Sequence, residues 1–389
     1  MKAKLVRVTT VPISLKVLLR QQLKFMSAHF DVLAVSSPGH TLEEVRIAEG
    51  VRTAPVVMTR AITPVNDLKA LWRLYRLFKK EHPAIVHTHT PKAGLLGMMA
   101  ARLAGVPIRL HTVAGLPLME NRGIRKKILE WAERLTYTCA TRIYPNSGKL
   151  ASFLLDKGFC AAQKVQVLGN GSSNGIDTDF FQKNEALTIA AGTLSGQLSL
   201  KEGDFVFVFI GRLVRDKGIE ELVTAFTALN KQYANVKLLL VGPYEPDLDP
   251  LSPATIATIA ANEAIIQADF QQDIRPWLTV SQVLVFPSYR EGFPNVPMQA
   301  GCFHVPAIVT NINGCNEIIE HEHNGLVIPV KDIEALHDAM KRLMTNKELY
   351  SHLKTHARQL ITERFDQKHF WDLLLTEYQD QLNKHVPLS

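Results

Sequence analysis

The fold is decided by one segment, residues 205–218, which reads Phe-Val-Phe-Val-Phe-Ile-Gly-Arg-Leu-Val-Arg-Asp-Lys-Gly. It begins with an apolar run typical of a buried strand, and Gly211 ends that run. Gly218 then precedes a helical pattern that starts at Ile219. Because a strand, a glycine turn and a helix in this order are typical of a βα unit, the segment predicts an α/β fold with a parallel sheet.

Short β-branched runs alternate with helical patterns along the rest of the chain. In the first half the predicted strands are Lys4–Thr9, Asp31–Ser36, Ala84–His89, Pro107–Thr112, Arg142–Asn146 and Lys164–Leu168. In the second half they are Phe205–Ile210, Val236–Val241, Ile265–Phe270, Val283–Phe286, Pro306–Thr310 and Leu326–Ile328. Helices are predicted between them, over Asp67–Glu81 and after Thr90, for example, with Thr90 as the N-cap and Pro91 in the first turn. The alternation predicts two doubly wound, Rossmann-like domains.

Chain length also favours two domains, since 389 residues exceed the size of one typical domain. A stretch rich in glycine, serine and asparagine, Gly169–Gly175, predicts a hinge between the halves. The final segment, Asp366–Lys384, has apolar residues at helical spacing and needs a surface to pack on. The predicted boundaries are residues 1–170, 171–365 and 366–389, the last being a helix that crosses back to the first domain.

Charge divides along the same boundary. Residues 1–170 hold 26 Lys and Arg against 10 Asp and Glu, whereas residues 171–389 hold 18 against 27. The first half is therefore at net +16 and the second at net −9, so the two halves face different partners. The four cysteines form no close pair, the start lacks a signal-peptide pattern, and no apolar run reaches a membrane span of ~20 residues. We expect a cytoplasmic protein that could bind the inner face of the membrane peripherally.

A second pattern of strand, turn and helix includes residues 287–300, which follow a predicted strand that ends near Phe286. Gly292 permits a tight turn, and a helix begins near Pro294. The first turn of a helix has free backbone N–H groups, which bind phosphate. Together with Arg212 and Lys217, these groups predict a diphosphate site at the carboxyl ends of the strands. Taken alone, the two cations could be solvated loop charges.

The order and spacing of these motifs resemble family 4 of the glycosyltransferases. The matching segments are Gly211-Arg212 with Lys217-Gly218, Glu291-Gly-Phe-Pro-Asn with Gln299-Ala-Gly, and Gly314-Cys-Asn-Glu317 followed by His323-Asn-Gly-Leu. Residues 169–180 resemble the interdomain segment of that family, and the resemblance covers nearly the whole chain. Within the family, the chain looks closest to bacterial enzymes of surface-polysaccharide synthesis, including those that extend sugars on polyprenyl diphosphate. The resemblance implies the GT-B fold, with two Rossmann-like domains facing a cleft.

The resemblance also implies the reaction, a retaining transfer of a hexose or N-acetylhexosamine from a nucleotide sugar, with UDP as the first guess for the nucleotide. The resemblance further implies that the first domain binds the acceptor and the second domain binds the donor. Arg212 and Lys217 would hold the donor diphosphate, and Glu291 would contact the transferred sugar, although Glu291 alone could be a helix cap. Further donor contacts would come from Gly211, Gln299, Ser14 and the backbone of Phe293, Pro294, Asn295 and Val296.

One position departs from the family pattern. Gln299 stands where the family usually has a Glu that accepts hydrogen bonds from both ribose hydroxyls. An amide can accept with its oxygen and donate with its nitrogen, so we expect ribose binding to survive with changed geometry. The alternatives are an inactive subunit that binds nucleotide sugar, a GT-B epimerase or phosphorylase, and a transferase with a soluble acceptor.

Histidines at strand ends are the candidates in the first domain. His87, His89 and Lys92 lie where one strand ends and the next helix begins, and we assign them to the acceptor side. His111 ends the following strand and is the candidate catalytic histidine, because Ala114 occupies the place of a histidine that some relatives carry. A strand-end histidine can equally be structural.

No metal and no other cofactor is predicted. His87 and His89 could begin a metal site, but no third ligand follows from the sequence. Two Asp-x-Asp matches lie at residues 177–179, in the interdomain segment, and at residues 247–249, in a proline-rich turn. We interpret both matches as structural.

Two helical segments of the basic half, residues 71–80 and 122–135, are both apolar and cationic. Such helices lie in the headgroup layer of anionic membranes, although an apolar helix face can equally pack on a sheet. The charge asymmetry favours the membrane, and no nucleic-acid recognition motif accompanies the basic charge. The predicted partners are a UDP-linked donor, a lipid-linked or oligosaccharide acceptor and an anionic membrane surface, and not nucleic acid.

Overall fold

The computed structural model describes residues 2–115, 123–247 and 249–385. The chain forms two compact units. Unit 1 comprises residues 1–175 and 367–389, and unit 2 comprises residues 176–366. Within the described residues, no helix is both long and apolar enough to span a membrane.

Unit 1 alternates strands and helices. Its strands are β1 (Lys4–Val8), β2 (Asp31–Ser36), β3 (Arg52–Pro55), β4 (Ile85–His89), β5 (Ile108–Val113) and β6 (Arg142–Pro145). The helices among and after them are α1 (Pro12–Leu18), α2 (Gln22–Ser27), α3 (His40–Glu49), α4 (Pro64–Glu81), α5 (Pro91–Ala104), α6 (Gly123–Cys139) and α7 (Gly148–Asp156). The strands pair in parallel in the order β3-β2-β1-β4-β5-β6. Both faces of the sheet are covered, so its strands are mostly buried.

Unit 2 repeats the same plan. Its strands are β7 (Phe205–Ile210), β8 (Val236–Val241), β9 (Ile265–Ala268), β10 (Val283–Phe286), β11 (Ala307–Thr310) and β12 (Gly325–Ile328). Its helices are α8 (Glu185–Gln197), α9 (Ile219–Gln232), α10 (Pro253–Ala261), α11 (Arg275–Val280), α12 (Asn295–Cys302), α13 (Cys315–Ile318), α14 (Ile333–Thr345) and α15 (Lys347–Phe365). The strands are again parallel, in the order β12-β11-β10-β7-β8-β9.

The last helix, α16 (Gln367–His385), belongs to unit 1. Its side chains Phe370, Trp371, Leu374 and Tyr378 are buried in the same apolar cluster as strand residues such as Leu5. The amphipathic pattern of the final segment therefore finds its packing surface on the sheet of unit 1.

The two sheets share one strand order. Counted from the first strand of each unit, both run 3-2-1-4-5-6, the order of a doubly wound dinucleotide fold. The order reverses between β1 and β4 in unit 1 and between β7 and β10 in unit 2, and we call these positions the switch points. Ligands of such folds bind beyond the strand ends at a switch point. The predicted Rossmann-like α/β architecture is confirmed, and both predicted phosphate motifs follow the switch-point strands of unit 2.

Two local predictions are wrong, and one strand was not predicted. Lys164–Leu168 forms no strand, because a 3-10 turn ends at Lys164 and only Val165 makes an isolated bridge, to Ile143. The sequence pattern did not predict β3, because this edge strand has no buried apolar run. Thr90 precedes α5 as predicted, but its side chain does not cap the helix and instead meets the Thr10 hydroxyl at 2.8 Å.

Candidate functional site

The two motif loops of unit 2 pack directly against each other at the switch point. Gly218 has a φ of +71°, and a Cβ added there would lie 2.2 Å from the carbonyl oxygen of Pro287. The backbone N–H of Tyr289 donates to the carbonyl oxygen of Asp216 at 2.8 Å. A glycine at position 218 is therefore required for the loop after β7 to approach the loop after β10.

Lys217 and Glu291 form an ion pair across these loops. The Lys217 and Glu291 side chains remain 14% and 16% exposed. The Ser288 hydroxyl donates to the same Glu291 oxygen at 3.0 Å, so the carboxylate is held from two sides. Burial, reinforced by the Glu291 charge, raises the pKa of the neighbouring Cys315 thiol well above its usual range, so this cysteine stays protonated.

Arg212 lies on the more open side of the same loop. Its guanidinium donates to a Glu245 carboxylate oxygen at 2.6 Å, and the arginine side chain is 46% exposed. The backbone here is also tightly packed, because a Cβ on Gly242 would lie 1.9 Å from the carbonyl oxygen of Gly211. An arginine offers five N–H donors, so the contact with Glu245 leaves donors for a ligand.

The N-terminus of α12 presents backbone donors at the same switch point. Proline at positions 294 and 297 contributes no N–H group. Within the described residues, the N–H groups of Phe293, Asn295 and Val296 donate to no acceptor. Gln299 follows one turn later, and its partly exposed side chain makes no hydrogen bond to a described group.

Neighbouring loops brace this helix end. A Cβ on Gly314, which has a φ of +76°, would lie 2.6 Å from the carbonyl oxygen of Gly292. The Asn313 side chain donates to the same carbonyl oxygen at 2.6 Å. The turn before α12 is therefore fixed by the segment that precedes α13.

Several supporting contacts are not evident from the sequence. Asp216, between the two predicted cations, binds Arg290 at 2.9 Å, and its own N–H donates to Asp249 at 2.6 Å. The Tyr289 hydroxyl donates to Glu221 at 2.6 Å. The only sequence signal for these contacts is that Asp216, Tyr289 and Arg290 lie inside the two motifs.

The two Asp-x-Asp segments have structural contacts. Asp249 belongs to one of them, and Leu248 in the same segment lies outside the described residues. In the other, Asp177 accepts a bond from the N–H of Phe180 at 2.9 Å, and the Thr178 hydroxyl donates to Asp366 at 2.6 Å.

His87 and His89, predicted on the acceptor side, are buried in unit 1 with Arg7. Arg7 is fully buried and donates to the Tyr378 hydroxyl at 2.9 Å and to the Gln22 side chain at 2.5 Å. Its guanidinium also lies 2.9 Å from His89 Nε2, and His87 Nδ1 lies 2.6 Å from the Tyr378 hydroxyl. In the described part of the chain no carboxylate pairs with Arg7, and burial lowers its pKa.

The buried surroundings of His87 and His89 determine the charge state of both side chains. Burial, followed by neighbouring positive groups, lowers the pKa of His87 and of His89 well below the usual range, so both are neutral at pH 7. Because His89 Nε2 accepts from Arg7, its Nδ1 carries the proton, and that atom has no partner among the described groups. A small cavity lies beside the two rings. Their acceptor-side role stays a prediction, and their observed contacts hold α16 on the sheet.

His111 is buried on the opposite face of the sheet. Its Nδ1 lies 2.8 Å from the Thr88 hydroxyl, and a Cβ on Gly94 of α5 would lie 2.4 Å from the ring. Burial lowers the pKa of His111 to about 4, so the imidazole is neutral at pH 7. The sequence leaves catalytic and structural roles open for His111, and this packing favours the structural one.

The other two candidates of unit 1 are closer to solvent. Ser14 is partly exposed in the first turn of α1, where its N–H donates to the carbonyl oxygen of Val11 at 3.0 Å. Lys92, in the first turn of α5, forms an ion pair with Asp67 at 2.5 Å. The structure therefore brings Arg212, Lys217, Glu291 and the start of α12 together in unit 2. In unit 1, His87 and His89 lie together, whereas the other candidates have different neighbours: His111, Ser14 and Lys92.

Comparison with known proteins identifies the family. A model of the glycosyl transferase 4-like domain matches residues 18–171, and a model of glycosyl transferases group 1 matches residues 192–360. The capsular polysaccharide biosynthesis glycosyltransferase CapM of Staphylococcus aureus is 31% identical over 93% of both chains. The chain belongs to glycosyltransferase family 4.

One further relative of this glycosyltransferase and one solved structure of similar fold are informative. The UDP-Gal:α-D-GlcNAc-diphosphoundecaprenol α-1,3-galactosyltransferase of Escherichia coli is 32% identical over 75% of the present chain and 74% of its own. The crystal structure of Anabaena HepE in complex with UDP and glucose superposes with a TM-score of 0.79 at 15% identity, covering 97% of the glycosyltransferase and 100% of HepE. The predicted GT-B fold is thereby confirmed.

Proposed function

We propose that unit 2 binds a UDP-linked hexose or N-acetylhexosamine at its switch point and that the enzyme transfers the sugar with retention. The observation that carries the proposal is the Lys217–Glu291 pair together with the N–H groups at the start of α12, which have no acceptor among the described residues. A carboxylate suits sugar hydroxyls, whereas an ammonium and backbone N–H groups suit phosphate oxygens. The two kinds of group together therefore suit a ligand in which a sugar is joined to a diphosphate.

The ion pair does not use up the donors of the site. An ammonium has three N–H groups and Glu291 takes one of them, so Lys217 keeps two for a diphosphate. As the glycosidic bond breaks, negative charge accumulates on the leaving UDP. Fixed cations stabilise that charge without rearranging, which lowers the barrier of the transfer step.

We propose that the reaction needs no divalent metal. Arg212 and Lys217 bring two positive charges to one loop, and α12 adds the positive end of its helix dipole. These groups can balance the diphosphate as a metal ion does in other transferases. Activity in EDTA equal to activity in Mg²⁺ is the expected result, and loss of activity in EDTA that Mg²⁺ restores would contradict it.

The acceptor is proposed to be a sugar on polyprenyl diphosphate, used in surface polysaccharide assembly. Two relatives support this, the capsule enzyme CapM and the Escherichia coli enzyme whose name specifies a diphosphoundecaprenol acceptor. The basic first half of the chain suits an acceptor with a diphosphate at a membrane surface. We infer a peripheral enzyme of the inner leaflet.

Two exposed apolar rows in unit 1 support membrane association. Helix α4 exposes Val65, Leu68 and Trp72, and α6 exposes Ile124, Ile128 and Trp131. Both helices pack on α5, so both lie on the same face of the sheet. Exposed lysines and arginines accompany both rows, as in helices that bind anionic headgroups. Arg122 and the side chain of Arg125, in the predicted segment 122–135, lie outside the described residues.

Activity is tested by incubating the purified enzyme with a panel of UDP-sugars and an N-acetylglucosaminyl diphosphate carried on a short polyprenyl chain. Transfer from one donor is expected. The sugar is α-linked in the UDP donor, so retention of the configuration should give an α linkage in the product, which NMR can identify. Calorimetric binding of UDP-sugar without transfer or hydrolysis would favour the alternative of an inactive binding subunit. Transfer to a water-soluble oligosaccharide but not to the lipid-linked sugar would favour a soluble acceptor.

Membrane association is tested by cosedimentation with anionic and neutral liposomes at low and high salt. Binding to anionic liposomes at low salt is expected, and the double variant Trp72→Ala/Trp131→Ala should weaken it. Phe270→Ala, which removes a residue of unit 2 that is 72% exposed, is the matched control and should bind like the wild type. Equal, negligible binding of the wild type to both liposomes would reject the membrane association and leave the donor site untouched.

A further inference from the structure

Three histidines of unit 2, His323, His352 and His356, converge outside the donor site. One ring nitrogen of each lies within 4.8 Å of the corresponding atoms of the other two. The ring centroids of His352 and His356 are 4.3 Å apart, and those of His323 and His356 are 4.6 Å apart. The proposed transfer reaction uses none of these side chains.

The fold holds two of the three histidines in fixed positions. His352 and His356 are one turn apart on α15, which puts them on one face of the helix. His323 lies in a turn fixed by the buried Asn324, whose side chain accepts from the N–H of Glu320 at 2.8 Å and donates to the carbonyl of Ile318 at 3.1 Å. The exposed His352 is the side chain that can still adjust.

Hydrogen bonding also prepares His356 as a ligand. Its Nδ1 lies 2.8 Å from the carbonyl oxygen of His352. A carbonyl oxygen can only accept, so Nδ1 carries the proton and Nε2 has a free lone pair. Metal-bound histidines commonly donate their second N–H to such a carbonyl, which orients the ring.

Among the described residues the group includes no carboxylate, and the two carboxylates closest to His323 in the sequence are paired with arginines. Glu320 is paired with Arg364 at 2.5 Å, and Glu322 is paired with Arg342 at 2.5 Å. The candidate donor set therefore consists of three imidazoles. Imidazole nitrogens suit Zn²⁺, Cu²⁺ and Ni²⁺, whereas Mg²⁺ and Ca²⁺ need oxygen ligands.

We propose that His323, His352 and His356 bind one first-row transition-metal ion, with Zn²⁺ the expected occupant. Zn–N distances of ~2.05 Å in a tetrahedral site place the ligand nitrogens roughly 3.3 Å apart. Rotation of His352 can close the cluster to that spacing. Three protein ligands leave a fourth position for water. The ion would tie the turn before β12 to α15, and because α15 packs on α12, it would stabilise unit 2 without entering the transfer reaction.

The test uses the full-length protein without a histidine tag, stripped of metal and titrated calorimetrically with Zn²⁺. One equivalent should bind, and His352→Ala and His356→Ala should each weaken binding about tenfold or more. His40→Ala, which removes an exposed histidine of unit 1, is the matched control and should leave the affinity unchanged. Unchanged affinity in both cluster variants, or no saturable binding to the wild type, would overturn the proposal.

Two further readouts separate this site from the donor site. Co²⁺ bound to the wild type should give the intense visible absorption of a four-coordinate ion, and His352→Ala should abolish it. Zn²⁺ should raise the melting temperature of the wild type but not of His352→Ala/His356→Ala, because only a bound ion stabilises the folded state. Transferase activity should be the same in the double variant and the wild type, so failure of the metal site leaves the transferase assignment standing. A weak, featureless Co²⁺ spectrum, or an equal Zn²⁺ shift in the double variant, would contradict the proposed site.

Discussion

At the switch point of unit 1, Arg7 on β1 lies opposite His87 on β4, and both side chains are buried. At the switch point of unit 2, Lys217 and Glu291 follow β7 and β10 and keep contact with solvent. The two sheets have the same strand order, so topology alone does not distinguish the proposed ligand site of unit 2 from the packed switch point of unit 1. The difference arises because α2 and α16 cover Arg7 with Gln22 and Tyr378.

The comparison teaches that polar residues at strand ends serve two different purposes here. In unit 1 they bond mainly to one another, although His89 Nδ1 has no partner among the described groups, and they hold the C-terminal helix on the sheet. In unit 2 the Lys217–Glu291 and Arg212–Glu245 pairs leave other N–H groups of the two cations available for a ligand, and the side chains remain accessible to solvent. We therefore expect changes in unit 1 to alter stability and changes in unit 2 to alter turnover.

The largest expected effect is the loss of stability of unit 1 in acid. The pKa of His111 is about 4 in the folded state against 6.5 in an unfolded chain, so the unfolded state takes up the proton first as pH falls. Stability is therefore complete above pH ~6.5 and is lost down to pH ~4, by about 3 kcal/mol for His111 and more with His87 and His89.

The measurement is the melting temperature as a function of pH. His111→Asn keeps a partner for the Thr88 hydroxyl but removes the titration, so its melting temperature should fall less steeply between pH 6.5 and 4 than that of the wild type. His40→Ala, an exposed position, should follow the wild-type curve. Parallel curves for wild type and His111→Asn would show that burial does not shift this histidine.

The second effect concerns turnover. Lys217→Ala and Arg212→Ala each remove a cation that we propose stabilises the leaving diphosphate, and its loss should cost about 3 kcal/mol, or roughly a hundredfold in kcat. Arg215→Ala removes an exposed cation of the same loop and should keep most of the activity. The measurement compares initial rates at saturating donor concentration, and melting temperatures verify that each variant is folded. Near-wild-type rates in both Lys217→Ala and Arg212→Ala would remove the donor-site assignment.

A smaller effect is expected from Tyr378→Phe. The hydroxyl accepts from Arg7 and pairs with His87, so its removal takes away one partner of each of these buried side chains and costs about 2 kcal/mol of unfolding free energy. Tyr350→Phe loses only a 3.4 Å contact with the carbonyl of Gln282 and should cost about 0.5 kcal/mol or less. Urea unfolding compares the two variants, and equal losses would mean that the Arg7 network does not anchor α16.

The smallest effect is predicted for Gln299→Glu. A carboxylate makes stronger bonds to ribose hydroxyls than an amide, so the dissociation constant for UDP should stay the same or fall by up to about tenfold. The gain should shrink with 2′-deoxy-UDP, which lacks one of the hydroxyls. Calorimetry compares the dissociation constants of the two ligands. Loss of UDP binding in a folded variant would mean that Gln299 does not bind the ribose as proposed.

Most of the fold could be predicted from the sequence, because the alternation of apolar runs and helical patterns reflects local backbone geometry. The failures have local causes as well. Strand β3 lacks an apolar run, and Lys164–Leu168 has a strand-like composition but pairs only through Val165. Arg212, Lys217 and Glu291 of the proposed donor site were predicted individually from two motifs, but the pairing of Lys217 with Glu291 was not.

The sequence by itself determined the two α/β domains, the family and the positions of Arg212, Lys217 and Glu291, because each depends on short patterns in a fixed order. Only the tertiary structure decided that Lys217 pairs with Glu291, that Tyr378 meets Arg7 and His87, and that three histidines converge on α15. These contacts join residues far apart in the chain. Their formation depends on how helices cover the sheets, and no local pattern of side chains encodes that geometry.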